Sequence, residues 1–203
     1  MLNSLVKIYD GYGLLGALRL IRDVLITKCL FCDARIVRVP FYIRGKAHIK
    51  LGKNFTSGVG LRLDAFSIAS ERKPRLVIGD NCQVNDYVHI GCVQNVTIGS
   101  DVLIASKVFI SDHNHGLYDD SSVDVLELPS VRPLSCSAVT IGNRVWIGEN
   151  VSVLPGVSIG DNSIIGAGSV VTSNIPDFSI AVGAPARVVK KFDLVNKRWE
   201  KLK

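Results

Sequence analysis

The sequence has few of the residues that build metal sites and disulfide frameworks. It contains four histidines and five cysteines in 203 residues, and the cysteines are odd in number and irregularly spaced. A disulfide framework is therefore not expected, and a reducing compartment is favoured. Cys29 and Cys32 have zinc-site spacing, but no second pair follows them. We interpret them as two small apolar residues at a helix end and predict no metal.

Signatures of nucleotide and nucleic-acid binding are also scarce. The chain has no P-loop, so a phosphate site of that type is not expected. The net charge of +6 is moderately basic, but no dense basic run or aromatic stacking motif accompanies it. The composition favours an anionic ligand or an anionic membrane surface, and no nucleic-acid partner is expected.

The longest apolar stretch is too charged to span a membrane. Residues 14–31 contain four charged side chains: Arg19, Arg22, Asp23 and Lys28. No small-residue cleavage site marks a signal peptide. Leu14, Leu18, Ile21 and Leu25 recur at helical spacing, which predicts a short amphipathic helix. We expect its apolar stripe to pack on the domain or on a neighbouring subunit. The alternative is that it docks on anionic lipid at the inner membrane surface.

The dominant pattern is an aliphatic residue at every sixth position. Three runs have this spacing: Ile78, Val84 and Ile90; Ile98, Ile104 and Ile110; and Ile141, Ile147, Val153, Ile159, Ile165 and Val171. Glycine often follows the aliphatic residue, and Asn or Asp recurs at turn positions. An α-helix cannot keep this period on one face, because it has 3.6 residues per turn. Short strands joined by tight bends can, with glycine or asparagine at a bend of permissive φ.

Three such strands close a triangular coil whose successive turns pair in parallel, about 4.8 Å apart. The pattern therefore predicts an all-β fold, a parallel β-helix. We expect an N-terminal helical segment over 1–42, the coil over 43–191 and a basic C-terminal tail over 192–203. Between Ile110 and Ile141 the rhythm fails, so a protruding loop is predicted over 112–137. Long loops inside compact domains are usually functional.

The hexads carry a family resemblance. The segments IGDNCQ, IGSDVL, IGNRVW, IGENVS and IGDNSI, then IGAGSVVTSNIP and GAPARVVKK, resemble the hexapeptide-repeat acyltransferases over 43–191. The likeness is greatest to maltose and galactoside O-acetyltransferases and to O-acetyltransferases of polysaccharide gene clusters. The resemblance implies a left-handed coil and a homotrimer with active sites between adjacent subunits. It also implies acetyl-CoA as acyl donor and a sugar or glycan as acceptor.

Two histidines stand at the root of the predicted loop, in ISDHNHG at 110–116. Acyl transfer to a hydroxyl needs a base that takes the hydroxyl proton, and a neutral imidazole is suited to that task. The resemblance places this base at His115, because Asn114-His115 is similar to an Asn-His motif of a related branch. His113 is the alternative, and a solvated histidine pair without catalytic role also remains open. Turn glycine N–H groups are expected to bind the developing oxyanion.

The resemblance also implies contacts with the substrates. Asn85 matches an asparagine that contacts the acceptor, and Trp146 matches a tryptophan near the acetyl end of the cofactor. Glu149 is a candidate for the substrate site and for orienting the histidine through Nδ1. For Asn85 a plain turn residue remains open, and for Trp146 an outward aromatic residue at a subunit interface.

A further set of positions is expected to bind the cofactor. Ala167, Thr172 and Ser173 match positions that line the pantetheine arm of CoA. Arg187 and Lys190 follow the end of the coil, and basic side chains are the usual partners of the CoA phosphates. Service to the coil itself, or a solvated basic tail, remains open for these residues.

The sequence thus predicts an O-acetyltransferase that acts on a sugar hydroxyl in O-antigen, capsule or exopolysaccharide assembly. We expect it in the cytoplasm, or peripherally at the inner face of the membrane. An amino-sugar N-acetyltransferase or a serine acetyltransferase remains open, since the same base and cofactor serve an amine. A γ-class carbonic anhydrase is less expected, because it needs three histidines converging on zinc and His113-x-His115 does not resemble that family's spacing. A non-catalytic coil is disfavoured by the histidines at the loop.

Overall fold

The chain forms one long helix followed by a coil of short strands, in a computed structural model that describes residues 2–66, 75–118 and 126–202, with side chains from Asp10 onward. The helix α1 spans Leu2–Leu30, and a short 3-10 helix spans Lys46–His48. The strands, in chain order, are β1 (Ile36–Val37), β2 (Phe41–Arg44), β3 (Ile49–Leu51), β4 (Thr56–Ser57), β5 (Leu61–Ala65), β6 (Leu76–Ile78), β7 (Gln83–Val84), β8 (His89–Cys92), β9 (Val96–Ile98), β10 (Leu103–Ile104), β11 (Phe109–Ser111), β12 (His113–His115), β13 (Leu134–Cys136), β14 (Val139–Ile141), β15 (Trp146–Ile147), β16 (Ser152–Val153), β17 (Ser158–Ile159), β18 (Ile164–Ile165), β19 (Val170–Val171), β20 (Ser179–Gly183), β21 (Ala186–Asp193) and β22 (Arg198–Lys201).

The coil has three faces, which the chain visits in rotation. The first face stacks β1, β4, β7, β10, β15, β18 and β20, the second stacks β2, β5, β8, β11, β16 and β19, and the third stacks β3, β6, β9, β14 and β17. Stacked strands are parallel and in register, with Ile104 opposite both Val84 and Ile147. The predicted stacking of short parallel strands is confirmed. We name the corner between the first and second faces the first edge, and that between the second and third faces the second edge.

The aliphatic repeat fills the interior of the coil. Every residue of the three predicted runs is at most 1% exposed. Full burial of one Val, Leu or Ile side chain contributes about 1.5–3 kcal/mol relative to its exposure. The inward column is therefore what holds successive turns of the coil together.

Glycine serves the coil through close approach rather than through the permissive φ that the sequence suggested. A Cβ on Gly79 would lie 2.6 Å from backbone atoms of Gly99, and one on Gly99 would lie 2.7 Å from those of Gly142. The left-handed backbone falls two residues after these glycines, at Asn81 with φ 57° and Asp101 with φ 60°. The expectation for asparagine is confirmed, and that for these glycines is wrong because adjacent turns leave no room for a side chain.

Helix α1 is longer than predicted and packs through a different side. The predicted stripe is 55–65% exposed at all four positions: Leu14, Leu18, Ile21 and Leu25. Asp23 and Thr27 are buried instead, and the Val37 N–H of β1 donates to Thr27 Oγ1 at 2.8 Å. The expectation that the stripe packs on its own domain is therefore wrong. In the described part of the chain, no helix combines the length and apolarity needed to cross a membrane.

A kink at Gly13 divides α1. It falls in Gly11-Tyr12-Gly13-Leu14-Leu15-Gly16, which has the G-x-G-x-x-G spacing of dinucleotide-binding turns. That turn requires a strand in front of it, whereas residues 2–10 are helical. The spacing therefore indicates no nucleotide site.

The interruption of the repeat is a paired stem at its base. β12 and β13 are antiparallel, with His113 opposite Cys136 and His115 opposite Leu134. Residues 119–125 of the predicted 112–137 loop lie outside the described residues. The stem leaves the coil at the second edge, between β11 and β14.

Both ends of the coil differ from the predicted boundaries. β1 already belongs to the first face, so the coil begins before residue 43. At the other end β21 pairs antiparallel with β20 and with β22. Residues 192–201 of the predicted 192–203 tail therefore take part in a hairpin at the end of the first face.

Candidate active site

The second edge carries a buried carboxylate in contact with a histidine. Asp112, just after β11, is 0% exposed, and its Oδ1 lies 3.0 Å from Nδ1 of His113. The His113 side chain is 17% exposed. When Nδ1–H donates to the carboxylate, the lone pair is on Nε2, so this arrangement suits proton abstraction.

Backbone amides hold Asp112 in place. The N–H groups of Val93, Gln94 and Asn95 donate to its carboxylate at 2.7–3.1 Å. These three residues form the bend between β8 and β9, one turn of the coil earlier. A buried carboxylate is tolerated only with such partners. The coil itself therefore fixes the group that orients the imidazole.

The ring of His113 is also confined by packing. Phe66 meets it edge to face with ring centroids 6.0 Å apart, and Ser111 Oγ lies 3.3 Å from Nδ1. A Cβ on Gly91 would lie 3.1 Å from His113 Cε1. A side chain at position 91 on β8 would push the imidazole aside by a few tenths of an ångström. Such confinement favours one orientation of the base.

His115 has a different environment. It is exposed on β12, and its carbonyl oxygen accepts a hydrogen bond of 2.6 Å from the Tyr118 hydroxyl. Arg132 in turn donates to that hydroxyl at 2.8 Å. The contact at His115 is thus made by its backbone, whereas the imidazole of His113 contacts the carboxylate of Asp112.

The residues expected to bind the acceptor and the acetyl end of CoA lie elsewhere on the coil. Asn85 and Glu149 lie at the first edge, and Trp146 is half-exposed on the first face. Glu149 makes an ion pair of 3.9 Å with Lys107. The carboxylate on a histidine Nδ1 is therefore that of Asp112, and within one chain Glu149 does not take that position.

The expected cofactor residues divide between three places. Thr172 and Ser173 follow β19 at the second edge, in the column that contains Ser111 and Asp112, because Ile110, Val153 and Val171 are in register. Two strand spacings, about 10 Å, separate them from that pair. Ala167 lies at the first edge, whereas Arg187 and Lys190 lie on β21 at the end of the coil.

The glycine amides expected to bind the oxyanion are occupied. Gly99, Gly142 and Gly148 donate their N–H groups to carbonyl oxygens of the next turn, at 2.8 Å each. These amides belong to the parallel ladder of the coil. The expectation that coil glycines supply the oxyanion donors is wrong for these three.

A groove of about 830 Å³ runs between α1 and the first face. Its apolar wall comes from the helix and includes Leu20, Ile21 and Val24, and its polar wall includes Asn85 and Ser106 of the first edge. Asn85 Oδ1 accepts a hydrogen bond of 3.2 Å from Gln83. The groove therefore joins an apolar surface to polar turn residues.

The structure offers no metal centre within its described ranges: there, no group of three His, Cys, Asp or Glu side chains converges. All five cysteines are free thiols. Burial, with Asp112 nearby, raises the pKa of Cys92 to about 12. That thiol therefore stays protonated and serves as a small core residue.

Comparison with known proteins identifies the family. WbbJ of Escherichia coli K12, assigned to O-acetyl transfer in lipopolysaccharide biosynthesis, is 50% identical over 201 residues, which cover 97% of this chain and 99% of WbbJ. The chain belongs to the hexapeptide-repeat acyltransferases. A family model for bacterial transferase hexapeptides (six repeats) also matches residues 138–173.

Two further relatives agree with that assignment. The galactoside O-acetyltransferase of Escherichia coli K12 is 34% identical over 163 residues, 80% of this chain and 64% of that protein. The structure of a galactoside acetyltransferase in complex with coenzyme A matches with a TM-score of 0.50 and 27% identity, over 91% of this chain and 90% of that one. The predictions of an acyltransferase and of acetyl-CoA as its acyl donor are thus confirmed.

Proposed function

We propose that this protein transfers acetyl from acetyl-CoA to a sugar hydroxyl of a glycan precursor in surface-polysaccharide assembly, with His113 as general base. The observation that carries the proposal is the contact between buried Asp112 and Nδ1 of His113 at the second edge. The likeness to WbbJ and to a galactoside O-acetyltransferase supports oxygen as the acceptor atom.

Each step of the transfer has a defined place for the proton. Asp112 keeps Nδ1–H of His113 engaged, so Nε2 takes the proton of the acceptor hydroxyl. The hydroxyl oxygen forms the new ester bond to the acetyl carbon as the carbon–sulfur bond breaks. The imidazolium of His113 then returns the proton to the leaving thiolate, and no covalent acyl-enzyme is needed.

A homotrimer would complete the site. Asn85 and Glu149 lie at the first edge of the coil, whereas His113, Thr172 and Ser173 lie at the second edge. Two different corners of one coil cannot face each other, but the first edge of one subunit can face the second edge of its neighbour. This placement supports the trimer that the family resemblance implies. The left-handed coil is taken from that resemblance as well.

The same arrangement places the residues that would bind acetyl-CoA. Thr172 and Ser173 continue the column of Asp112 along the second edge, and Arg187 and Lys190 supply positive charge at the end of the coil. We assign the two hydroxyl residues to the pantetheine arm, together with Ala167 from the first edge of a neighbour. Trp146 is assigned to the acetyl end, and the basic pair to the CoA phosphates.

We further propose that α1 holds the enzyme at the inner face of the membrane, where a lipid-linked acceptor would be found. All four stripe residues of α1 are more than half exposed, with Ile21 and Leu25 also lining the groove toward the first face, and basic residues flank the stripe: Arg19, Arg22 and Lys28. An apolar face with flanking cations suits an anionic lipid surface. The free cysteines agree with a reducing compartment.

Replacing Leu14 and Leu18 by Asp should weaken binding to phosphatidylglycerol vesicles by at least tenfold in a flotation assay. Both side chains are more than half exposed, and each buried leucine contributes about 1.5–3 kcal/mol. The matched control replaces Leu194 and Val195, which are also more than half exposed, at the other end of the coil. Equal vesicle binding by both double variants, or a change of oligomeric state in the first, would contradict the membrane role.

The test of the function is acetyl-dependent release of the CoA thiol. Purified protein is mixed with acetyl-CoA and parallel sets of neutral sugars, amino sugars, nucleotide sugars, prenyl-diphosphate sugars and serine. We expect thiol release only with acceptors that offer a free sugar hydroxyl. Release that depends on an amino group would move the reaction to N-acetylation, and a lack of release with every acceptor would refute the proposal.

A further inference from the structure

A buried carboxylate holds two arginines on the second face. Asp64 on β5 has a side chain only 4% exposed, and Arg62 Nε donates to its Oδ2 at 2.7 Å. Arg44 Nε, on the neighbouring strand β2, lies 3.4 Å from Oδ1. Both guanidinium groups meet Asp64 through Nε, while 63% of the Arg44 side chain and 46% of the Arg62 side chain remain exposed.

The cluster has positive charge in excess. His89 Nε2 lies 3.3 Å from Asp64 Oδ2, but burial, and then Arg62, lower the pKa of His89. The imidazole is therefore neutral at neutral pH. One carboxylate faces two guanidinium groups, and the pair retains the charge that attracts an oxyanion.

This arginine pair lies beside the proposed base. Arg44, Asp64, Gly91 and Ser111 occupy the same register position on four adjacent strands, and the ring of His113 packs on Gly91. The guanidinium of Arg44 also lies 5.5 Å from the centroid of the Phe66 ring, and that ring packs edge to face against His113. One or two strand spacings, about 5–10 Å, separate the arginines from the base along the face.

A groove in front of the pair provides room for a ligand. Its volume is about 660 Å³, and its lining residues come from β2 and β5: Phe41, Tyr42, Ile43, Arg44, Arg62 and Asp64. The Tyr42 ring is 60% exposed next to Arg62 in the register. The groove thus offers an aromatic surface and two cations about 5–10 Å from the base along the face.

We propose that Arg44 and Arg62 bind a phosphate group carried by the acceptor, while the acceptor hydroxyl reaches Nε2 of His113. The inference rests on the proposed function and names the chemistry of its acceptor. Guanidinium groups recognise phosphate oxygens through paired N–H donors, and a phosphate in partly desolvated surroundings gains most from them. Sugar phosphates, nucleotide sugars and sugars linked to a lipid through diphosphate all present this group next to a sugar.

The first test measures binding of inorganic pyrophosphate by calorimetry to protein already saturated with CoA, so that the phosphate contacts of CoA are filled. We expect Arg44→Gln to raise the Kd about tenfold, which corresponds to about 1.4 kcal/mol, and Arg44→Lys to raise it less. Arg198→Gln is the matched control, because Arg198 is 69% exposed and also pairs with one carboxylate. Arg44 is chosen because Arg62 is the closer partner of buried Asp64, whose charge must stay paired for folding.

The proposal is overturned if pyrophosphate does not bind the CoA-saturated protein, or if Arg44→Gln binds it as tightly as the wild type does. It is also overturned if Arg44→Gln weakens the binding of CoA itself.

The second test compares kcat/KM for a free sugar, its 1-phosphate, a nucleotide sugar and a prenyl-diphosphate sugar. In the wild type, kcat/KM for at least one phosphorylated acceptor should exceed that for the free sugar by tenfold or more, and Arg44→Gln should lose this preference. The acceptor with the highest kcat/KM identifies the source of the phosphate group. Equal use of free and phosphorylated sugars contradicts the proposal. Failure of all acceptors refutes the transferase proposal, whereas the binding result still decides this one.

Discussion

Replacing His113 by Ala is expected to lower kcat for acetyl transfer by about 10²–10⁴-fold, the usual contribution of a positioned general base. His115→Ala should leave kcat within a few-fold of the wild type, because the His115 imidazole is exposed and only its carbonyl group is engaged. The measurement is thiol release under saturating acetyl-CoA and acceptor. The two variants form a matched pair, since they remove the same ring from the same strand.

The reverse result would identify a different base. A large loss of kcat in His115→Ala with activity retained in His113→Ala would return the base to the position favoured by the family resemblance. Thermal unfolding of both variants serves as control, because neither change removes a group of the inward column. A kcat equal to that of the wild type in both variants would show that neither histidine acts as the base.

Replacing Asp112 by Asn should have the second largest effect, and it should act on both stability and rate. The carboxylate accepts hydrogen bonds from the bend over 93–95 and from His113. The NH₂ group of Asn would face N–H groups that now donate to a carboxylate oxygen, so at least one of these hydrogen bonds would be lost. The free energy of unfolding should therefore fall by about 1–3 kcal/mol. The imidazole would also lose the acceptor that fixes its tautomer, and kcat should fall at least about 10²-fold.

Asp161→Asn separates the two effects. Asp161 also caps a bend of the coil, by accepting a hydrogen bond of 2.7 Å from the Asn143 N–H, and this bond holds its pKa below the usual value. The variant should lose stability without losing kcat, because no histidine depends on it. If Asp112→Asn reduces kcat no more than Asp161→Asn does, with KM for acetyl-CoA unchanged in both, Asp112 has only a structural role.

The coil could be predicted because its determinants are local and repeated. An inward aliphatic residue at every sixth position is required by each short strand, so Ile104 and Ile147 occupy the interior as the period indicates. The α1 stripe shows the limit of such reasoning. Helical spacing predicts an apolar face at Leu18 and Ile21, but it does not say which surface covers that face, and the coil instead buries Thr27.

The preference for His113 over His115 depends on where Asp112 lies in the coil, which the sequence gives only through the register of the hexads. Both histidines lie on the same side of β12, two positions apart. The difference is Asp112, whose partners are backbone amides of the preceding turn of the coil. An aspartate placed two residues after the inward Ile110, where the coil bends, is the signal that could have identified it.

In the proposed trimer, each site would take residues from two chains. The spacing of the hexads assigns Asn85 to the first edge and His113 to the second, and this separation follows from the fold rather than from any single motif. A repeat describes how a coil is built, whereas the approach of two coils depends on surfaces that the repeat leaves unspecified.

The most direct test of the proposed reaction is the chemical identity of the product. Acceptor treated with enzyme and acetyl-CoA is analysed by mass spectrometry before and after mild alkali, with His113→Ala as the blank. We expect one added acetyl group on a sugar oxygen, which alkali removes and which His113→Ala does not form. An alkali-stable acetyl group on nitrogen, or the same ester formed at the wild-type rate by His113→Ala, would contradict it.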